Sequence, residues 1–331
     1  MVAHYRLTYL FILTTLTATA QDTSQPSWRR ITVNPTDDFH ASYSPDGRTL
    51  LFDSDRSGHN EVYVYDIASK KTTQLTNSAF KSDHPRWFAD GKRIVFEQFD
   101  QGLEIYAMKS DGSGQKRLTN TPGHNAAGFV SPDGKKILFA STRDGNWELY
   151  VMLTDGTGQK RLTGNSGDDL GHQWSPDGSK VVYMSEIEGN WEICSINSDG
   201  SDYRRLTSHP AADEGPRWSP DGKTIVFTSD RDGARSLFLM NPDGSSLISL
   251  GSLPGGRSEG IWSPDGMHIL FVSGAENEAD ICMINADGSN LRNLTQNKVR
   301  EANPSWSADG QSIVFVSAVD GNLEIYTMFI R

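Results

Sequence analysis

Short, fully apolar runs recur along the chain: Leu50-Leu51-Phe52, Ile94-Val95-Phe96, Ile137-Leu138-Phe139, Val181-Val182-Tyr183, Ile225-Val226-Phe227, Ile269-Leu270-Phe271 and Ile313-Val314-Phe315. Rich in β-branched and bulky residues and bounded by polar positions, each reads as the buried middle of a strand rather than a helix face. Just upstream of every run stands Ser-Pro-Asp-Gly or a close variant, with its acid at Asp46, Asp90, Asp133, Asp177, Asp221, Asp265 and Asp309. Asp-Gly permits the positive φ of a tight turn, so the segments on its two sides are expected to pair as a hairpin. Beyond each run comes a polar turn such as Asp144-Gly145-Asn146, then a third strand such as Glu148-Leu149-Tyr150-Val151-Met152. A further Asp-Gly at Asp111, Asp155, Asp199, Asp243 or Asp287 leads into a fourth strand, which in most units ends in Leu-Thr.

The seven tetrad acids are spaced by 44, 43, 44, 44, 44 and 44 residues. One four-stranded unit copied at so constant a period predicts an all-β fold, a seven-bladed β-propeller with four-stranded antiparallel blades. Three residues before each acid stands Tyr43, Trp87, Val130, Trp174, Trp218, Trp262 or Trp306, a position read as packing between units. The last unit runs out after its third strand, Ile325-Tyr326-Thr327-Met328, while Trp28-Arg29-Arg30-Ile31-Thr32 resembles outer strands such as Arg204-Arg205-Leu206-Thr207. The N-terminal strand is therefore expected to complete the last blade and close the ring, leaving no free edge. Blade six is the least regular, with Ser249-Leu250-Gly251 in place of Leu-Thr.

Ahead of the repeats, residues 1–20 carry His4 and Arg6, an apolar stretch from Leu7 to Leu16, and Ala18-Thr19-Ala20. This is the layout of a cleavable secretory signal, so the expectation is a periplasmic or secreted protein with no transmembrane segment after cleavage. Residues 21–27 read as a flexible lead-in and 28–331 as the propeller. Of the 331 residues, 31 are Lys or Arg and 42 are Asp or Glu, a net charge of −11 that argues against a nucleic-acid partner. Cys194 and Cys282 occupy equivalent third-strand positions two units apart. That separation is beyond disulfide reach, so two buried thiols are expected.

The composite repeat Trp-Ser-Pro-Asp-Gly, apolar strand, Arg-Asp-Gly, Glu-Ile-Tyr, Asp-Gly-Ser, Leu-Thr resembles the WD-repeat-like repeat of the TolB-like β-propeller family, also seen in tricorn-type and dipeptidyl-peptidase propellers. The resemblance covers about residues 28 to 331. It implies a propeller of TolB type without that family's N-terminal α/β domain, and with seven blades where TolB has six. The peptidase relatives carry their catalytic serine in a separate domain. Gly256-Arg257-Ser258-Glu259-Gly260 fits GxSxG but lacks the strand and helix of a nucleophile elbow.

Function is expected in the segments preceding each inner strand, which open at one mouth of the central channel. The candidate ligand-binding residues there are Asp38, His40, Asp83, His84, His124, Asp169, His172, Asp213, Glu214, Arg257, Glu259, Arg300 and Glu301, accompanied by Asp37, Asn125, Asp168 and Asn303. His40 and His84 hold one repeat position in neighbouring blades and are the candidate ligands for a divalent metal at the channel mouth. No other cofactor and no catalytic residue is indicated. The reading is a monomeric, non-enzymatic propeller that binds an envelope or extracellular protein or peptide, or a small polar ligand. The alternative, implied by a similar repeat in oligogalacturonate lyase, is a metal-dependent polysaccharide lyase using channel-mouth histidines. Arg56, Arg143 and Arg231, and the third-strand acids Glu61, Glu104, Glu148, Glu192, Asp280 and Glu324, recur with the blades and are read as structural ion pairs.

Overall fold

In the computed structural model, residues 28–252, 259–275 and 277–330 are described. The leader, the lead-in, Arg257 and most of the GxSxG segment lie outside them. Seven four-stranded antiparallel sheets follow one another in chain order, and the described residues contain no helix. Blade 1 consists of Asp38–Tyr43, Thr49–Ser54, Glu61–Asp66 and Lys71–Gln74, from the channel outward. Blade 7 consists of Glu301–Trp306, Ser312–Ser317 and Glu324–Phe329, completed by Trp28–Arg30. The N-terminal strand pairs antiparallel with the last one, Trp28 opposite Met328 and Arg30 opposite Tyr326. Arg30 fastens this clasp through Asp320 at 2.8 Å and Glu324 at 2.9 Å.

The apolar runs form the second strands, and their alternation explains the core. Leu50 and Phe52 pack with Val314, Val316 and Ile325 of blade 7, whereas Leu51 packs with Ile94, Phe96 and Met108 of blade 2. Side chains with a period of two thus feed the two flanking interfaces alternately, and all three of Leu50, Leu51 and Phe52 are fully buried. Each such side chain contributes roughly 1.5–3 kcal/mol. The core is a ring of inter-blade layers rather than one central mass.

The tetrad is a self-contained turn. Ser44 Oγ donates to Asp46 Oδ1 at 2.7 Å and accepts the Thr49 amide at 3.0 Å, while Asp46 Oδ1 also accepts the Arg48 amide. Gly47 sits at φ 70°, where a side chain would be strained. The tryptophans before the tetrads link blades: the indoles of Trp174, Trp262 and Trp306 donate to the carbonyls of Phe129, Arg217 and Ile261, each on the preceding inner strand.

The outer-strand Arg-x-Thr recurs for an equally definite reason. In blade 3, Thr163 Oγ1 donates to Glu148 Oε2 at 2.6 Å and accepts the Leu149 amide, and Arg161 reaches Glu148 Oε1 at 2.6 Å. Glu104 with Arg117 and Thr119, and Glu192 with Arg205 and Thr207, repeat the arrangement. Arg56 and Arg231 pair with Asp38 and Asp213, and Arg143 reaches Asn125. Cys194 and Cys282 are both free and buried, and burial pushes each thiol up to about 12.

Candidate functional site

Every fully described inner strand is broken by a bulge where its pairing with the second strand slips. The residue six before the tetrad acid takes up the slip in the left-handed region: His40 at φ 50°, His84 at 49°, Ala127 at 54°, Gly171 and Gly215 at 60°, and Asn303 at 51°. A non-glycine residue there costs of order 1–2 kcal/mol. The side chains of His40, His84 and Asn303 are turned into the channel. Four before the acid comes a second inward-facing position, occupied by Ser42, Arg86, Phe129, Gln173, Arg217, Ile261 and Ser305. Members of the two rings from all seven blades line a central cavity of about 690 Å³.

The chemistry is concentrated on blades 1 and 2. The His40 and His84 rings lie 4.0 Å apart, centroid to centroid. His40 Nδ1 is hydrogen-bonded to buried Asp53 at 2.8 Å, and Asn60 holds the other Asp53 oxygen at 2.9 Å. His84 Nδ1 lies 3.3 Å from Asp83 Oδ1 and 3.8 Å from Glu97 Oε2, without hydrogen-bond alignment to either. Burial would lower the His84 pKa, but Asp83 and Glu97 outweigh it and hold the imidazole above its usual range. Burial raises Glu97. Among the described residues, Asp83, His84 and Glu97 are the one group of three whose ligand atoms all lie within 4.8 Å of one another.

Two arginines give the channel a cationic patch that the sequence reading did not anticipate. Arg86 lies over the Phe129 ring at 3.9 Å, and its Nε meets no hydrogen-bond partner. Burial and the neighbouring Arg217 lower its pKa to about 10. Arg217 is paired with Glu259. Glu97, on the paired strand of the same blade, and Glu259 attract Arg86 electrostatically without forming an ion pair with it.

The remaining candidates are dispersed. Asp38, Asp169, Asp213 and Glu301, eight before their tetrad acids, are buried inside blades: Asp38 and Asp213 on their arginines, Asp169 on Asn165, Glu301 on Asn297. Burial pushes Asp169 up to about 6. Glu214 pairs with Arg235. His172 is buried, its Nε2 2.8 Å from the Ala127 carbonyl, and burial lowers its pKa to about 4. His124 is exposed, between Phe99 and Trp147 at about 6 Å from each, its Nδ1 accepting the Leu103 amide. Arg300 is exposed at the surface. Thus His40, His84, Asp83 and Glu259 of the expected set flank the channel, and Glu97, Arg86, Arg217 and Asp53 join them. The signal available for the newcomers was positional: seven and four residues from the tetrad acid, residue type changes from blade to blade while the surrounding strand pattern holds.

Fold and site together define a seven-bladed β-propeller whose polar groups converge on a central channel. Residues 20–121, 85–207, 173–278 and 248–331 match the TolB beta propeller domain, and the chain belongs to that family. A TolB homologue from Chlorobium luteolum is 35% identical over 103 residues, which is 31% of this chain and 23% of the relative. The alignment therefore spans about a quarter of that relative's length. Among solved structures, an oligogalacturonate lyase in complex with manganese superposes with TM-score 0.76 at 16% identity, over 94% of this chain and 95% of that one. TolB from Acinetobacter baumannii gives 0.57 at 22% identity, over 80% and 65%. At these identities the structural likeness establishes the fold.

Proposed function

We propose that this protein is an exported, non-enzymatic binding propeller whose channel takes a segment bearing a carboxylate, either an acidic peptide stretch of an envelope partner or a small acidic ligand. The observation that carries this reading is Arg86, a guanidinium stacked on Phe129 in the channel wall with no ion pair among the described residues. A half-buried guanidinium of that kind is satisfied by donating a charge-assisted hydrogen bond to a ligand carboxylate. Ser42, Gln173 and Ser305 supply neutral donors around it, and Trp174 and Phe129 supply apolar walls, the mixture a binding cleft requires. The acidic exterior disfavours bulk polyanions, while the recessed Arg86 accepts a single carboxylate threaded inward.

The lyase reading asks for several histidines around one ion and a free base beside them. His172 is committed to the Ala127 carbonyl and His124 stands in an aromatic stack, so of the four candidate histidines only His40 and His84 line the cavity. That distribution favours binding. The test is calorimetric titration of short glutamate-rich peptides and of digalacturonate, in chelator, into the wild-type protein and into Arg86→Gln. Binding weakened by roughly 10- to 100-fold in the variant, the value of one charged hydrogen bond, is the expected result. Absence of binding, or binding indifferent to Arg86→Gln, overturns the reading. In a separate assay without chelator and with added Mn²⁺, ultraviolet-detected formation of unsaturated product from digalacturonate establishes the lyase instead.

A further inference from the structure

The cross-strand pair just before the bulge is Phe39 with Asp53 in blade 1, Ala126 with Ala140 in blade 3, and Leu170 with Met184 in blade 4. In blade 2 the same pair is Asp83 with Glu97. The copies of one unit act as internal controls: blades 3, 4 and 7 carry no acid in this pair, blades 1 and 5 carry one, and among the described pairs only blade 2 sets two carboxylates opposite each other. Both are more than nine-tenths buried. Opposed like charges on paired strands destabilise a sheet, so the folded blade gains nothing from this substitution by itself.

The free atoms of this cluster face one another. Lys81 engages Asp83 at Oδ2, 2.6 Å away, leaving Oδ1, and the Ala127 amide engages Glu97 at Oε1, leaving Oε2. His84 Nδ1 has no hydrogen-bond partner and lies 3.3 Å and 3.8 Å from those two oxygens. Ligands about 2.1 Å from a tetrahedral ion stand roughly 3.4 Å apart, so the two edges from His84 Nδ1 are close to that spacing and the three atoms lie within 4.8 Å of one another. We infer that Asp83, His84 and Glu97 form a divalent transition-metal site in the channel wall, with Asp83 Oδ1, Glu97 Oε2 and His84 Nδ1 as its protein ligands. Two carboxylates and one imidazole suit zinc or manganese better than calcium, which needs six to eight oxygens. Two negative ligands neutralise the dication, and His84 is the ligand that lines the cavity. His40 is not a ligand in this arrangement, because neither of its ring nitrogens joins the group whose ligand atoms all lie within 4.8 Å of one another. The site adjoins Arg86, with which Glu97 interacts electrostatically, but its ligands are distinct from the guanidinium that carries the carboxylate-binding reading.

The test titrates Zn²⁺, and separately Mn²⁺, into chelator-treated, rebuffered protein by isothermal calorimetry. Wild type, Glu97→Gln, His84→Asn and His40→Asn are compared, with near-ultraviolet circular dichroism confirming each fold. One equivalent should bind to wild type and to His40→Asn. Affinity should fall by at least about tenfold in Glu97→Gln and His84→Asn, the lower end of what even an outer-shell partner is worth. Glu97→Gln keeps the oxygen that accepts the Ala127 amide, so a folded protein that has lost the metal is attainable. Absence of a stoichiometric site, its survival in both ligand variants, or its loss in His40→Asn alone overturns the assignment.

Discussion

Replacing His172 by Gln tests whether that histidine serves the blade interface instead of a ligand. Its imidazole is buried against Phe129 and bonded to the Ala127 carbonyl, and burial together with Arg217 and Arg86 brings its pKa to about 4. In the unfolded chain the value is about 6.5. The unfolded state therefore binds the proton first on acidification. The stability that depends on neutral His172 is complete above about pH 6.5 and is lost as the pH falls toward the folded value near 4. At about pH 4.5 the loss is on the order of 2–3 kcal/mol. Asp169 acts in the opposite sense: its folded pKa of about 6 exceeds the unfolded value, so the folded state takes up that proton first and gains. The wild-type pH profile contains both effects and is uninformative alone. The assay is urea denaturation followed by tryptophan fluorescence at about pH 7.5 and pH 4.5, for wild type and His172→Gln, with the Gln amide positioned to keep the bond to Ala127. The drop in stability between the two pH values should be smaller in the variant by roughly 2–3 kcal/mol. Equal drops in the two proteins would show that His172 is not held neutral in the fold.

Thr163→Val removes the hydroxyl that serves both Glu148 and the Leu149 amide, and should cost about 3 kcal/mol in urea denaturation; Thr163→Ser, which keeps the oxygen, should cost under about 1. Trp306→Phe loses an indole bond to the preceding blade, whereas the Trp218 indole nitrogen has no partner, so the Trp306 substitution should be the more costly by about 1 kcal/mol. Cys194 and Cys282 should remain unreactive toward a thiol reagent at neutral pH until denaturant is added, when two thiols per chain should titrate.

The blades could be read from sequence because their determinants are local and repeated: a serine and an aspartate that close a turn on themselves, and three apolar residues that serve two interfaces at once. The ring closure was readable because Arg30 and Thr32 copy the Arg and Thr of the outer strands Arg117-Leu118-Thr119, Arg161-Leu162-Thr163 and Arg205-Leu206-Thr207. The site was harder, since it depends on which way a side chain points beside a bulge. Asp38 and His40 are two residues apart, yet one is buried on Arg56 and the other faces the channel. Alternation would have put both on one face; the left-handed residue resets the count. Arg86 and Arg217 carry no repeat signal of their own, because their position four before the tetrad acid is filled by Ser, Phe, Gln or Ile in the other blades. Glu97 escaped because its meaning comes only from Asp83 across the ladder.

The clasp between Trp28–Arg30 and Glu324–Phe329 also imposes an order of assembly. Arg30 and Glu324 are separated by 294 residues, and closing so long a loop in an unfolded chain costs about 5 kcal/mol before any contact forms. Stacking the intermediate blades first shortens the effective loop and brings the two strands together along an arc. Sealing the ring is then a late step in folding. Until it happens, the exposed edge of Glu324–Phe329 can accept the equivalent strand of a second molecule, so dilution during refolding should favour closed rings over exchanged ones.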